Sequence, residues 1–153
     1  VIRVPFKKGP DADKGKEQTE ATEKSIKGLH ILLAEDNELN MEIEEFMLQN
    51  EGAEVTKAWN GQETVELFKK SEPGEFDVIL MDIMMPVMNG YEAAKMIRSL
   101  DREDAKEVPI IAMTANAFTE DRLRAKEAGM DEHVAKPVDV ELLIKVIHKL
   151  VND

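Results

Sequence analysis

Residues 78–90 read Val-Ile-Leu-Met-Asp-Ile-Met-Met-Pro-Val-Met-Asn-Gly. The first four form a continuous apolar run, the pattern of a strand covered on both faces, and the run ends on Asp82. It is the most apolar strand candidate in the chain, which places it at the centre of a sheet. Ala93, Ile97 and Leu100 then mark a helix. Strand, polar end, helix: the chain repeats this unit in both directions.

Upstream, Ile31, Leu32, Leu33 and Ala34 make another short apolar run, followed by Leu39, Ile43, Phe46 and Met47 at helical spacing and Gly52 as a stop. Residues 53–58 form a weaker, more polar strand suited to an edge. The Asn60–Gly61 turn opens a helix that packs through Val65 and Phe68 and ends near Pro73–Gly74. Downstream, Pro109 leads into Ile110, Ile111, Ala112 and Met113. Thr119 suits the cap of a helix running to Gly129, residues 132–135 suit a short fifth strand, and Leu143, Val146, Ile147 and Leu150 share one face of a last helix. Five consecutive βα units predict an α/β fold with a doubly wound, five-stranded parallel sheet in the order 2-1-3-4-5. Ligands then bind beyond the carboxyl ends of the strands.

Those ends carry the chemistry. Glu35 and Asp36 follow the first strand, Asp82 ends the third, Thr114 ends the fourth and Lys136 follows the fifth. Taken singly each is bland: Glu35, Asp36 and Asn37 suit a helix cap, and Asp82 suits a loop. The strand-end rule brings all of them to one pocket. Three carboxylates crowded there repel unless a cation neutralises them, and Mg²⁺ favours a site of carboxylates, waters and phosphate oxygens. An ionised Asp82 is then a nucleophile toward phosphorus, with Lys136 and Thr114 placed to stabilise the charge that develops.

Composition removes competing chemistries. The 153 residues contain no cysteine, so disulfides, thiolate catalysis and cysteine metal sites are excluded. The net charge of −12 argues against non-specific nucleic-acid binding. No apolar run approaches the ~20 residues of a membrane span, and the first ten residues lack a signal-peptide pattern, so a cytoplasmic location without membrane contact by this segment is expected. No Gly-rich phosphate loop is present. His30 and His148 have no ligand-like spacing, Met81, Met84, Met85 and Met88 suit packing around the acceptor, and Trp59 suits packing after the second strand.

Residues 1–28 differ from the rest. They hold seven Lys/Arg against five Asp/Glu, a net of +2, so the remainder carries −14. Residues 1–6 suit the end of a strand that Gly9–Pro10 breaks, and residues 11–25 are too polar to form a core. The expected division is the end of a preceding domain plus linker over 1–28, and one domain over 29–153.

The runs Ile-Leu-Leu-Ala-Glu-Asp-Asn from 31, Val-Ile-Leu-Met-Asp-Ile-Met-Met-Pro-Val-Met-Asn-Gly from 78, Pro-Ile-Ile-Ala-Met-Thr-Ala from 109 and Val-Ala-Lys-Pro from 134 together resemble the receiver domains of two-component signalling, which share a flavodoxin-like fold. The resemblance covers about residues 29–150. It implies Asp82 as phosphoacceptor, Glu35 and Asp36 as the acidic pair holding Mg²⁺ or Mn²⁺ with Asp82, and the Met84 backbone carbonyl as a further ligand. It also implies Thr114 as a switch hydroxyl, Lys136 as the phosphate-contacting lysine, and a cis Lys136–Pro137 bond that helps aim that lysine inward. His133 occupies the place of an often aromatic switch residue. Met84 and Asn116 fall at positions that tune dephosphorylation, and a Met84 side chain that cannot orient water implies slow phosphoryl loss.

By the same resemblance, the partner is a histidine kinase or a histidine phosphotransfer domain. Residues 116–118 offer a docking surface, and the strand-four and strand-five face offers a dimer contact. Residues 1–6 are similar to the last strand of a histidine-kinase ATP-binding domain, and the run from Ala34 to Met41 is similar to receivers fused to such kinases. The expected parent is a hybrid sensor histidine kinase, to which any membrane attachment belongs; a free-standing response regulator is the alternative. The segment has no ATP site of its own, so enzyme status rests with the parent. Haloacid-dehalogenase-type phosphatases share the aspartate nucleophile and Mg²⁺, but they need an acid two residues after it, where this chain has Met84.

Overall fold

The structure, a computed structural model, describes residues 26–115 and 119–152. The readings made on residues 1–25 and on Asn116, Ala117 and Phe118 lie outside the described residues.

The elements run β1 (His30–Ala34), α1 (Glu38–Asn50), β2 (Glu54–Ala58), α2 (Gly61–Lys70), β3 (Val78–Asp82), α3 (Gly90–Arg98), α4 (Glu103–Glu107), β4 (Ile110–Thr114), α5 (Thr119–Glu127), β5 (Glu132–Ala135) and α6 (Val140–Asn152). The five strands form one sheet in the order β2-β1-β3-β4-β5, every pair parallel. This is the doubly wound arrangement expected from the sequence.

Strand side chains alternate between two cores. Ile31, Leu33, Leu80, Ile111 and Met113 pack with Met41 and Leu48 of α1 and with Leu143 and Ile147 of α6. Leu32, Ala34, Ile79, Met81 and Ile110 pack on the other face with Val65, Phe68, Ala93, Ile97 and Ala125. Burial on both sides explains why β1, β3 and β4 read as unbroken apolar runs. β2 has one neighbour only and keeps Glu54 and Lys57 exposed, charges that discourage pairing at a sheet edge.

Four features depart from the sequence expectation or add to it. First, α1 turns its obvious apolar stripe outward: Leu39, Ile43 and Phe46 are 64%, 47% and 68% exposed. The buried positions are Met41, Glu44 and Leu48, centred about 165° around the axis from that stripe at ~100° per residue. The helix is set by its cap, Asn37 accepting from the Asn40 N–H at 2.9 Å, and that entry faces Met41 and Leu48 to the sheet. Second, Trp59 is exposed rather than packed, while its backbone N–H donates to Glu63. Third, α4 is an additional helix of one turn; Arg98 ties it to the β5 approach by donating to Ala105 O, Gly129 O and Asp131. Fourth, Ile26, three residues before Leu29, is fully buried with the α1/α6 core.

Candidate functional site

The sheet register assembles the site. Ala34, Met81, Ala112 and His133 lie in one row across neighbouring strands, so Glu35 and Asp82 both stand one step beyond it. The Glu35 N–H donates to Ala58 O at 3.0 Å, extending β1, and the Lys136 N–H donates to Thr114 O at 2.8 Å, extending β5. Asp82, Glu35 and Thr114 are buried, Asp36 is exposed, and Lys136 is half-buried. The Lys136–Pro137 bond is cis.

Lys136 Nζ lies 3.0 Å from Asp82 Oδ2 and 2.9 Å from Glu35 Oε1. One ligand oxygen from each of Glu35, Asp36 and Asp82 falls within 4.8 Å of the others. Glu35 Oε2 in turn accepts from the Asn37 N–H at 3.1 Å. A single lysine cannot balance three carboxylates, and the surplus charge suits a hard divalent cation. Burial, opposed by the Lys136 hydrogen bond and charge and reinforced by Glu35 and Asp36, pushes Asp82 up to about 6. Burial works against the Lys136 ammonium, but hydrogen bonds to Glu35 and Asp82 outweigh it and raise its pKa.

The β3–α3 loop is held close. Gly90 donates its N–H to Ile83 O at 2.8 Å, and a Cβ there would meet Asp82 O at 2.5 Å and Ile83 Cα at 3.0 Å. Only glycine lets α3 start this near the strand that carries Asp82. In the same loop Met85 is buried, Met84 is exposed, and Val87 holds a positive φ of 69°, a strained setting for a β-branched residue.

The remaining sequence candidates are also placed. His133 is half-buried beside Arg122, Leu123 and Met130. His30 bonds Thr56 Oγ1 at 2.8 Å and packs on Phe76, a structural setting at the amino end of β1. Sequence reasoning missed Glu44. Burial of this acid, reinforced by the nearby Glu35 carboxylate, pushes it up to about 8. The signal was available: Met41, Glu44 and Leu48 share one helical face.

A doubly wound sheet with an acidic cluster and a lysine at its carboxyl edge defines a phosphoryl-acceptor class of α/β module. Residues 31–148 match the response regulator receiver domain family model, and the chain belongs to that family. It is a receiver module of phosphorelay signalling. The peroxide stress-activated histidine kinase of Schizosaccharomyces pombe is 37% identical over 126 residues, which is 82% of this chain and 8% of that protein. Hybrid signal transduction histidine kinase M of Dictyostelium discoideum is 43% identical over 122 residues, 79% of this chain and 5% of that protein. The chain therefore spans less than a tenth of the length of either relative.

Among solved structures, the receiver domain of a Pseudomonas aeruginosa sensor histidine kinase, with magnesium in its active-site cleft, superposes with a TM-score of 0.74 at 37% identity, covering 82% of this chain and 99% of that one. A Saccharomyces cerevisiae receiver domain crystallised with a histidine phosphotransfer protein gives 0.72 at 30% identity, covering 82% and 90%. Among the described residues, no helix is long and apolar enough to cross a membrane.

Proposed function

We propose that Asp82 is the phosphoacceptor of this receiver, taking a phosphoryl group from a phosphohistidine. The observation that supports this most is the Lys136 ammonium held between Asp82 and Glu35 beside Asp36. A carboxylate oxygen of Asp82 attacks phosphorus, the phosphorus–nitrogen bond breaks, and its electron pair returns to the imidazole nitrogen. Lys136 steadies the equatorial phosphoryl oxygens, and the Thr114 hydroxyl turns toward them as the switch. Glu35, Asp36, Asp82 and the Met84 carbonyl would hold Mg²⁺ or Mn²⁺, which when bound supplies positive charge to the transferring group.

Met84, whose exposed side chain offers no water-orienting group, makes loss of the phosphoryl group slow, and Asn116 is the second position that tunes it. His133 follows the switch on β5. The donor protein covers the rim of the site, because its histidine must reach a buried carboxylate. The outward stripe of α1 supports this placement: Ile43 and Met47 line one groove with Lys136, Pro137 and Val138. A dimer through the β4–β5 face is the further partner reading, supported by exposed Leu123 beside His133.

The parent is read as a hybrid sensor histidine kinase, since the relatives just described are histidine kinases. Residues 1–28 then end a preceding domain and link it to the receiver. The test is transfer from a labelled phosphohistidine kinase core to this chain, with and without Mg²⁺. Mg²⁺-dependent label on the chain supports the reading; label retained on the kinase core under both conditions contradicts it.

A further inference from the structure

We propose that Arg98 is a positioning residue for Lys136: it fixes the amino end of β5, and thereby the point at which that strand delivers the lysine to Asp82 and Glu35. The inference rests on the reading of Asp82 as the phosphoacceptor and of Lys136 as the residue that steadies the phosphoryl oxygens.

β5 is poorly equipped to set its own register. It pairs with β4 alone, and of its four residues only Val134 is buried. A strand with so little buried pattern specifies its register weakly. A slip of one residue would carry Lys136 about 3.3 Å along the strand direction and turn its side chain to the opposite face. Lys136 Nζ would then lose both Asp82 Oδ2, now at 3.0 Å, and Glu35 Oε1, now at 2.9 Å.

Arg98 supplies the hold. Its guanidinium donates from Nε to Gly129 O at 2.9 Å, from Nη1 to Ala105 O at 2.9 Å and from Nη2 to Asp131 Oδ2 at 3.0 Å. Asp131 is the residue before β5. Its Oδ2 also accepts from the Ile110 N–H at 2.9 Å, and its own N–H donates to Ile110 O at 2.8 Å. The first rung between β4 and β5 is therefore tied to Arg98 through one shared carboxylate oxygen. Gly129 has a φ of 101°, and a Cβ there would meet Arg98 Cγ at 2.7 Å, so the arginine stem packs directly on the turn that feeds the strand. A planar fork serves three acceptors at once, which a compact ammonium does less well. An ion pair from Lys149 to Glu132 at 3.4 Å also reaches β5, but its lysine is 63% exposed, and such pairs hold little.

α3 closes the frame. Its first residue, Gly90, bonds Ile83 O next to Asp82, and its last, Arg98, holds the start of β5. Acceptor and lysine are thus both referenced to one short helix.

The experiment is a double-mutant cycle on labelling by a small acyl phosphate with Mg²⁺ at fixed donor concentration. Arg98→Ala and Lys136→Ala are made singly and together, and compared at a temperature where circular dichroism shows each folded. Arg98→Ala should slow labelling about tenfold, within the cost of misplacing a group by ~1 Å from afar, and should shift the Lys136 amide resonance. On the Lys136→Ala background it should slow labelling by less than about twofold, because the group it positions is gone. Arg98→Lys, which keeps the stem and the charge without the fork, should lose at least about threefold, and it carries the test if the alanine variant does not fold. Val65→Ala, a core truncation in α2, should lose stability yet keep the wild-type rate and Lys136 resonance. Equal slowing by Arg98→Ala with and without Lys136 would overturn the inference. So would wild-type labelling in both Arg98 variants, or slowing of the same size in Val65→Ala. If Lys136→Ala alone labelled at the wild-type rate, the reading of Lys136 would fall, and this inference with it.

Discussion

Lys136 Nζ donates to Asp82 Oδ2 at 3.0 Å, joining residues 54 apart in the sequence. The same ammonium reaches Glu35 Oε1 at 2.9 Å, so one cation serves two buried acids. Replacing it by Lys136→Ala leaves both uncompensated. The expected loss is about 1–3 kcal/mol of stability in the presence of a chelator, the usual cost of stranding buried polar groups. Saturating Mg²⁺ should recover most of it. Urea unfolding under both conditions checks this, and an equal loss in each would argue that Lys136 and the ion do not share a task.

The acids themselves give a pH dependence. Asp82 is raised to about 6 and Glu44 to about 8, so both bind protons more tightly folded than unfolded. Their contribution is fully present below the ordinary carboxyl range near ~4 and is lost as pH rises through about 6 and then about 8. Asp104 acts oppositely: the Arg102 hydrogen bond lowers it, so its contribution fades only as pH falls below ~4. The metal-free chain should therefore lose stability steadily from pH ~5 to pH ~8.5, with Glu44→Gln removing the upper part of the slope. A flat denaturant midpoint across that range in EDTA would contradict the assignment.

Gly90 keeps α3 against the strand end, with no room for a Cβ beside the Asp82 carbonyl. Gly90→Ala should destabilise the fold by about 1–3 kcal/mol, as over-packing typically does. It should also slow labelling of Asp82 by a small acyl phosphate, because the clash falls on the backbone of the acceptor. Unaltered stability and labelling would show that the loop relaxes freely.

The exposed stripe on α1 separates docking from chemistry. Ile43→Asp places a charge in the groove beside Lys136 while leaving Glu35, Asp36 and Asp82 unaltered. Transfer from a phosphohistidine protein should fall by at least about fivefold, the scale of one interface anchor. Labelling by a small acyl phosphate should hold at the wild-type rate. Equal rates with both donors would place the donor elsewhere.

Much of this was legible in the sequence. The apolar runs at 31–34, 78–81 and 110–113 carry both cores, because each strand is covered on two sides, and their polar ends mark the pocket. Helix phase was less legible. Leu39, Ile43 and Phe46 have the right period, but period alone does not say which of two stripes faces the sheet, and Glu44 disguises the buried one. Trp59 was misplaced because size and apolarity do not report whether a strand-end position lies under another element. α4 escaped because one turn of Glu-Asp-Ala-Lys-Glu has no periodicity to read, and its packing depends on Arg98 reaching back to Ala105 O. The nearness of Glu44 to Glu35 is tertiary: it arises only once α1 lies on β1.

The most direct test of the central claim is intact-mass analysis after incubation with Mg²⁺ and a small acyl phosphate, on the wild-type chain and on Asp82→Asn. One phosphoryl adduct on the wild type, lost with Asp82→Asn and abolished by EDTA, is the predicted result. An adduct of the same yield on Asp82→Asn would contradict it.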